Sequence, residues 1–441
     1  MEPLIETINS FLWGEFLWVL IIAIGFFLNV RLLFLPLRKI GYAFRQLWAS
    51  RKTAGVSGIS PMATLMVSLS ATVGTGNIAG VAIAIGVGGP GALFWMWLSA
   101  LLGMATKYSE SVCAVHFREK NAKEQYVGGP MYYIKNGMGP RWMWLAVLFA
   151  VFGALAGFGI GNAVQAHSVA ESLNVAFGID KGWSALVMTV TIAMVLLGGL
   201  RGIARMATAL VPFMSFFYLI AGLVVIGANL PQIPDALSLV VESAFTGTAA
   251  SGGFAGAAVA LAIEQGIARG VFSNEAGLGS APIAHAAAES NSAVEQGCVA
   301  MLGTFIDTLV ICTITGLAIV VTGVWDGSAK GTAMSQAAFS SVLPFGGQIV
   351  ALSLSLFAFT TILGWSYYGE RCAEFLFKHE VALFYRCLWV AVIPIGALMS
   401  LDLVWDIADI LNGLMAIPNV IALFALSGLV VRLTREHFNG G

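Results

Sequence analysis

Residues 70–80 read SATVGTGNIAG. The surrounding run, residues 62–88, is apolar enough to cross a membrane, yet Gly74, Gly76 and Asn77 stand near its middle. Glycine costs about 1 kcal/mol relative to alanine inside a helix. Unwound main chain is tolerated at membrane depth only where it lines a cavity or is buried in protein. If VGTGN unwinds, the N–H groups that start the following half-helix suit a carboxylate, and the carbonyls that end the preceding one suit a cation. The competing reading is a GxxxG packing face on Gly76 and Gly80. A GxGxxG/A dinucleotide site is excluded, because no strand precedes Gly74 and no βαβ unit fits.

The 441 residues are 58% hydrophobic and 10% charged, against about 25% charged in soluble domains. The mean hydropathy is +0.87. These values describe an all-α polytopic membrane protein; the runs are too long for membrane strands and lack period-2 alternation. Eleven spans are expected, at about 13–36, 62–88, 91–116, 143–174, 183–200, 206–229, 252–288, 297–324, 347–377, 386–401 and 408–432. With the N-terminus outside, nineteen of the 22 Lys and Arg fall in inner loops, among them Arg31, Arg38, Lys39, Arg51, Lys52, Lys107 and Arg371. Lys181 and Lys330 remain outside and Arg269 lies within a span. That asymmetry predicts a multi-pass protein with an outer N-terminus and a cytoplasmic C-terminus. The opening MEPLIE lacks the basic n-region of a signal peptide, so no cleavage is expected. A net charge of −1 leaves no nucleic-acid footprint.

Setting the first span aside leaves ten, in two groups of five. The expected division is an extra helix with its basic loop at 1–55, a first unit at 56–232 and a second at 233–441. The first span of each unit is interrupted, by VGTGN at 73–77 and by SNEAGLG at 273–279. Paired broken helices in two halves point to an inverted-repeat transporter, and an odd number of spans per half inverts the second. SNEAGLG sets Ser273, Asn274 and Glu275 at depth. Ser273 and Asn274 read as ligand-facing, and Glu275 as an acceptor for unwound N–H groups.

Other polar residues share helix faces. Phe158, Asn162 and Gln165 stand at i, i+4 and i+7, which offers amides and an aromatic lid, or else interhelical hydrogen bonds. Asp307 shares a face with Thr304, Thr308 and Thr315 and reads as a cation ligand, a proton-linked group or a buried hydrogen-bonded carboxylate. Thr360 and Thr361 are adjacent hydroxyls suited to a small cation. Trp365, one turn on, walls a pocket, while Tyr367 and Tyr368 suit an interfacial belt. The five cysteines read as small hydrophobes, and the scattered histidines argue against a metal centre. No GxSxG or GxxxxGKS is present, so neither an enzyme nor an ATP-driven pump is expected. The absence of charged or carbonyl rings argues against a channel.

SATVGTGNIAGVAIAIGVGGPGALFWMW, GMATKYSE, GGPMYYI, GVFSNEAGLGSAPIA, GTFIDT, GWSYYGE and DIADILNGLMAIPN together resemble the alanine or glycine:cation symporter family, within the amino acid-polyamine-cation superfamily, over nearly the whole chain. The resemblance implies a leucine-transporter-like 5+5 inverted repeat with one extra N-terminal helix. It implies Na+-coupled uptake of small neutral amino acids, alanine and glycine, across a prokaryotic inner membrane, by a monomer with no cofactor beyond the co-transported Na+. It also implies that Thr75 and Gly76 donate to the substrate carboxylate, with Asn77 beside it. Sodium would sit at Ser70, Val73, Thr360 and Thr361, and the amino-acid pocket at Gln165, Phe272, Ser273, Asn274, Thr361 and Trp365. A proton-coupled symporter using Asp307 or Glu275 is the nearest alternative.

Overall fold

The apolar runs fold as helices in the computed structural model, which describes residues 7–9, 11–50, 58–246 and 255–439. They are α1 (Leu17–Arg31), α2 (Pro61–Thr72), α3 (Val81–Gly88), α4 (Gly91–His116), α5 (Pro140–Phe177), α6 (Lys181–Leu196) and α7 (Gly199–Ala228), then α8 (Ala255–Asn274), α9 (Ala281–Ala286), α10 (Ala293–Val321), α11 (Gly346–Phe377), α12 (Val381–Leu398) and α13 (Leu401–Asn439). Six described helices, α5, α7 and α10 to α13, are long and apolar enough to cross a membrane, and seven when the bent pair α2 and α3 counts as one span. α1 and α6 are shorter apolar helices. A two-stranded antiparallel ribbon, Glu119–Lys120 against Tyr126–Val127, follows α4. The expected boundary at 55/56, the start of the expected span 252–288, MEPLIE, Arg51 and Lys52 lie outside the described residues.

α4 runs through the centre. A Cβ on Gly266 of α8 would stand 2.4 Å from Ala92 O, and one on Gly270 would stand 2.6 Å from Ser99 Oγ. Glycines four apart thus let the α8 backbone lie directly on α4. α1 covers the other side of α4, where Asn29 Nδ2 donates to Leu102 O at 3.0 Å. It is tied to α13 by Arg31 Nη1 to Ser427 Oγ at 2.8 Å, and Trp13 Nε1, just before α1, donates to Asp409 O at 2.9 Å.

Several charge and ring assignments change. Lys107 and Arg371, counted with the inner loops, are buried inside α4 and α11. Arg371 pairs with Glu370 and Glu374 on its own helix. Tyr367 and Tyr368 are buried rather than interfacial, because the end of α11 is packed inside the bundle. Cys387 is exposed, unlike the other four cysteines. Two further helices, Ile233–Thr246 and Thr332–Ser340, lie between the spans and are too short to cross a membrane.

α5 crosses α11 closely near the centre. A Cβ on Gly161 would lie 2.2 Å from Trp365 Cβ. Overpacking of this kind costs about 1–3 kcal/mol. Gly161→Ala is therefore expected to lower the unfolding temperature in detergent by several degrees, read by intrinsic tryptophan fluorescence; an unchanged melting curve would refute this packing.

Candidate functional site

Ser60 caps α2, its hydroxyl accepting from Ala63 N at 3.1 Å, and Pro61 holds the first helical position. The helix stops at Thr72, Val73 is extended, and the chain re-enters a widened π-helical turn, Gly76–Gly80, before α3. The two arms are bent by 52°. Side chains pair the freed backbone. Gly74 N donates to Asn77 Oδ1 at 2.8 Å and Thr75 N to Gln165 Oε1 at 3.1 Å. Val73 O accepts from the Thr361 hydroxyl at 3.2 Å. A Cβ on Gly74 would stand 2.5 Å from Thr361 Oγ1 and 2.9 Å from Gln165 Oε1, so glycine lets α5 and α11 both close on the break. Thr75 Oγ1 is buried without a hydrogen-bond partner among the described residues. The GxxxG reading holds for one glycine only: a Cβ on Gly76 would meet Ser273 Cα at 3.0 Å, whereas Gly80 faces nothing closer than 3.9 Å.

The second break lies between α8 and α9. Glu275, Gly277 and Gly279 take φ of 59°, 96° and 80°. That conformation is free for glycine but costs a residue with a Cβ roughly 1–2 kcal/mol. Ser280 Oγ donates to the Glu275 carboxylate at 2.6 Å, so its donor is a hydroxyl rather than the unwound N–H groups expected for Glu275. Lys107 Nζ donates to Asn274 O at 2.6 Å, and Gly277 N donates to Glu110 Oε1 at 3.0 Å. Asn419 Nδ2 bridges Glu110 Oε1 and Gly277 O, at 2.6 and 2.8 Å. Lys107, Glu110 and Asn419 are fully buried, and the sequence pattern did not place any of them at the site. The signal was the i, i+3 spacing of a lysine and a glutamate inside an apolar run.

Asp307 joins the two breaks. Its Oδ1 accepts from Asn77 Nδ2 at 2.7 Å, and its Oδ2 from Ser273 Oγ and Thr308 Oγ1, both at 2.8 Å. Thr308 Oγ1 in turn accepts from Asn274 Nδ2 at 3.0 Å. Of its three open readings, the geometry fits the buried hydrogen-bonded carboxylate. Cys312 Sγ lies 3.4 Å from Asn77 Nδ2 and 3.3 Å from Ser273 Oγ. Asp307 and Cys312 belong to a π-helical stretch of α10, Phe305–Cys312, and Gln165 follows another in α5, Gly157–Ala163. Such widened turns gather at functional sites.

Thr75, Gly76, Asn77, Gln165, Phe272, Ser273, Asn274, Thr361 and Trp365 are thus all buried around the two breaks. The proposed sodium ligands are less uniform. Val73 and Thr361 meet, while the Thr360 hydroxyl turns to Phe357 O and to Met214 Sδ on α7, and Ser70 Oγ donates to Val67 O at 2.8 Å. Phe158 is no lid: its ring packs on Tyr385 and Trp389, and Asn162 Nδ2 donates to Trp389 O at 2.8 Å. That face of α5 serves interhelical contact because α12 covers it.

Both ends are shut. A cavity of about 530 Å³, lined by Gln265, Arg269, Trp405 and Asp409 among others, ends on Trp405. The Trp405 ring packs against Phe272, tilted by 36° with centroids 4.6 Å apart, and Phe272 in turn approaches Gly76. Arg269 pairs with Asp409 and lies over Trp405 at 4.8 Å. At the basic-loop end, Arg118 donates to Ala286 O, Ala288 O and Ser290 O, at 3.3, 2.6 and 2.9 Å. Ile59 bridges to Ala288 there, and Gln296 Nε2 links Thr64 Oγ1 to His285 Nδ1 at 2.9 and 2.7 Å.

The profile of the Sodium:alanine symporter family matches residues 1–440. The Sodium/alanine symporter AgcS of Methanococcus maripaludis is 46% identical over 98% of this chain and 96% of its own length. The Probable sodium/glutamine symporter GlnT of Bacillus subtilis is 38% identical over 99% and 91%. Among solved structures, MhsT in complex with L-phenylalanine aligns with a TM-score of 0.60 over 86% of this chain and 99% of that one, at 12% identity, a likeness of fold. With two helices broken and mutually buried at its centre, and with these relatives along its whole length, the chain belongs to the sodium:alanine symporter family of membrane transporters.

Proposed function

We propose that this chain carries alanine and glycine into the cell with Na+ by alternating access. The carrying observation is that the helical residues flanking the two breaks meet, Gly76 against Ser273, and share the Asp307 carboxylate through Asn77 and Ser273. In the proposed frame α1 is the extra helix, and the other ten of eleven spans form two inverted repeats of five, α2 to α7 and α8 to α13. The N-terminus lies outside and the C-terminus in the cytoplasm of a monomer in the inner membrane; the basic-loop asymmetry supports that orientation even without Lys107 and Arg371.

The Thr75 and Gly76 amides receive the substrate carboxylate. Support comes from Thr75 N, which already holds a carboxamide oxygen, Gln165 Oε1, at 3.1 Å. An arriving carboxylate replaces that acceptor, and the released Gln165, with Ser273 and Asn274, turns oxygens to the ammonium. Phe272 and Trp365 bound the side-chain volume; one methylene is worth only about 1–3 kcal/mol, so alanine and glycine are both accepted. Na+ takes the carbonyls of Ser70 and Val73 with the hydroxyls of Thr360 and Thr361, displacing the Thr361–Val73 hydrogen bond and turning Thr360 from α7. Asn77 orients the break beside the substrate. Asp307 acts through Asn77 and Ser273 as a positioning residue, its oxygens filled by three donors, which counts against a proton carrier. The membrane potential adds about 2.3 kcal/mol per charge per 100 mV to the driving force.

Labelled alanine uptake in proteoliposomes is expected to follow an inward Na+ gradient at equal pH; uptake that follows a pH gradient without Na+ establishes the proton-coupled alternative. Thr361→Val is expected to raise the Na+ concentration for half-maximal uptake about tenfold, as befits one lost bond to a charge. An unchanged Na+ dependence removes Thr361 from the ligands. Asp307→Asn is expected to weaken alanine binding by roughly tenfold or more, because an amide nitrogen cannot accept from Ser273 and Thr308. Wild-type binding, read by titration calorimetry on the purified protein, ends the positioning role.

A further inference from the structure

A second cavity, of about 240 Å³, opens at the basic-loop end between the end of α1, the turn after it and the end of α13. Its wall carries Arg31, Arg38, Lys39 and Arg435. Among the described residues, no carboxylate lines it, and Glu436, the sequence neighbour of Arg435, is not part of the wall. Among the same residues, none of the four cations is in an ion pair. Their contacts are weaker ones. Arg31 donates to Ser427 Oγ and lies over the Phe27 ring, and Arg38 reaches Leu33 O at 3.4 Å. Lys39 Nζ sits 4.6 Å from the Phe438 ring centroid. Four unpaired cations around one hollow repel one another, and an anion held between them relieves that repulsion.

The collar of this hollow is apolar and open. Leu33 and Phe34 are 66% and 42% exposed, both with φ of 53°, a conformation that is strained for side chains of this size. Beyond them the helix Ile40–Ala49 buries Ala43 and Leu47 and exposes Phe44 and Trp48. An amphipathic helix with basic flanks and exposed aromatic and aliphatic side chains lies in the plane of a membrane interface. The ligand must therefore be anionic at its head and apolar below it.

We propose that this cavity binds the headgroup of an anionic glycerophospholipid of the cytoplasmic leaflet, best one with two phosphates, while its acyl chains lie along Leu33 and Phe34. Basic pockets between membrane helices on the cytoplasmic side favour such headgroups. The bound lipid links α1 to α13. The assignment rests on the chain spanning a bilayer with this end in the cytoplasm, and is independent of the substrate and coupling ion.

The test is native mass spectrometry of the full-length protein in detergent, titrated separately with cardiolipin, phosphatidylglycerol, phosphatidylcholine and inorganic phosphate. Cardiolipin is expected to bind more tightly than phosphatidylglycerol, and phosphatidylcholine not measurably. Each neutralised charge lowers affinity roughly fivefold, so the R31Q/R38Q/K39Q/R435Q variant is expected to lose about a hundredfold or more. R201Q/R205Q, which removes basic charge away from the cavity wall, retains cardiolipin as the wild type does. If the quadruple variant does not fold, as judged by gel filtration, the single variants Arg38→Gln and Lys39→Gln replace it, each expected to weaken cardiolipin binding about fivefold. Equal retention of phosphatidylcholine, or undiminished cardiolipin binding by the charge variants, overturns the site. Displacement of the lipid by millimolar inorganic phosphate makes it a soluble-anion site and overturns the lipid assignment. Loss of Na+-driven uptake with cardiolipin binding intact tells against the transport reading alone.

Discussion

The structure depends on one constraint: a backbone N–H or C=O within hydrocarbon must find a partner in the protein. Interrupting two helices at the centre frees several such groups, and side chains of the breaks themselves and of neighbouring helices answer them. Asn77 and Gln165 take the amides of Gly74 and Thr75, and Thr361 donates to Val73 O. Ser335 donates to Ile78 O at 3.0 Å. Lys107, Glu110 and Asn419 do the same for the second break. The buried charges of α4 are there because two half-helix ends need them, and an unpaired buried charge would be far more costly. The short helix Thr332–Ser340, irrelevant to spanning, has the same reason to exist.

This explains what the sequence could convey. Both breaks were legible because glycine and asparagine contradict the apolar run around them, and a contradiction of that kind is local. The spans were legible for the same reason. Lys107 and Glu110 were not read correctly, because they lie toward one end of a span and their partners are about 167 residues away. Spacing along one helix gives a face, yet it does not say which neighbour covers that face. Phe158 and Gln165 share a face of α5, but the widened turn Gly157–Ala163 separates them, so Gln165 reaches the break while Phe158 packs on α12. A change of helical pitch erases the simple i, i+7 argument, and no residue in GFGIGNA announces it beforehand.

The proposed coupling of ion and substrate at the first break would follow from how few residues that break contains. The carbonyl of Val73 and the amide of Thr75 belong to one short stretch, and their partners Thr361 and Gln165 converge on the same glycine, Gly74. Any ligand that fixes Val73 also fixes the path of the chain through Gly76. A second ligand at the amides then binds a backbone already ordered, and by linkage the first gains equally from the second. Ordering one residue costs roughly 1–2 kcal/mol, so sharing even one residue gives a coupling within the usual range of about 1–3 kcal/mol.

The two closures differ in kind, and that difference bears on which side opens. Toward Trp405 the site is shut by the tilted packing of Trp405 on Phe272 and by a nearly buried ion pair, Arg269 with Asp409. Breaking such a pair is unfavourable in a dry site and easy once water enters. At the basic-loop end the closure is a set of hydrogen bonds, Arg118 to three carbonyls, Ile59 N to Ala287 O, Glu289 N to Ile59 O, and Gln296 between Thr64 and His285. Each is worth about 1 kcal/mol net, but they join the ends of α2 and α9 as one unit, so they release together or not at all. A ligand that holds the two breaks in register supports both halves of that unit. One that leaves Val73 free supports neither, and the shift between states is limited to the difference in affinity it makes.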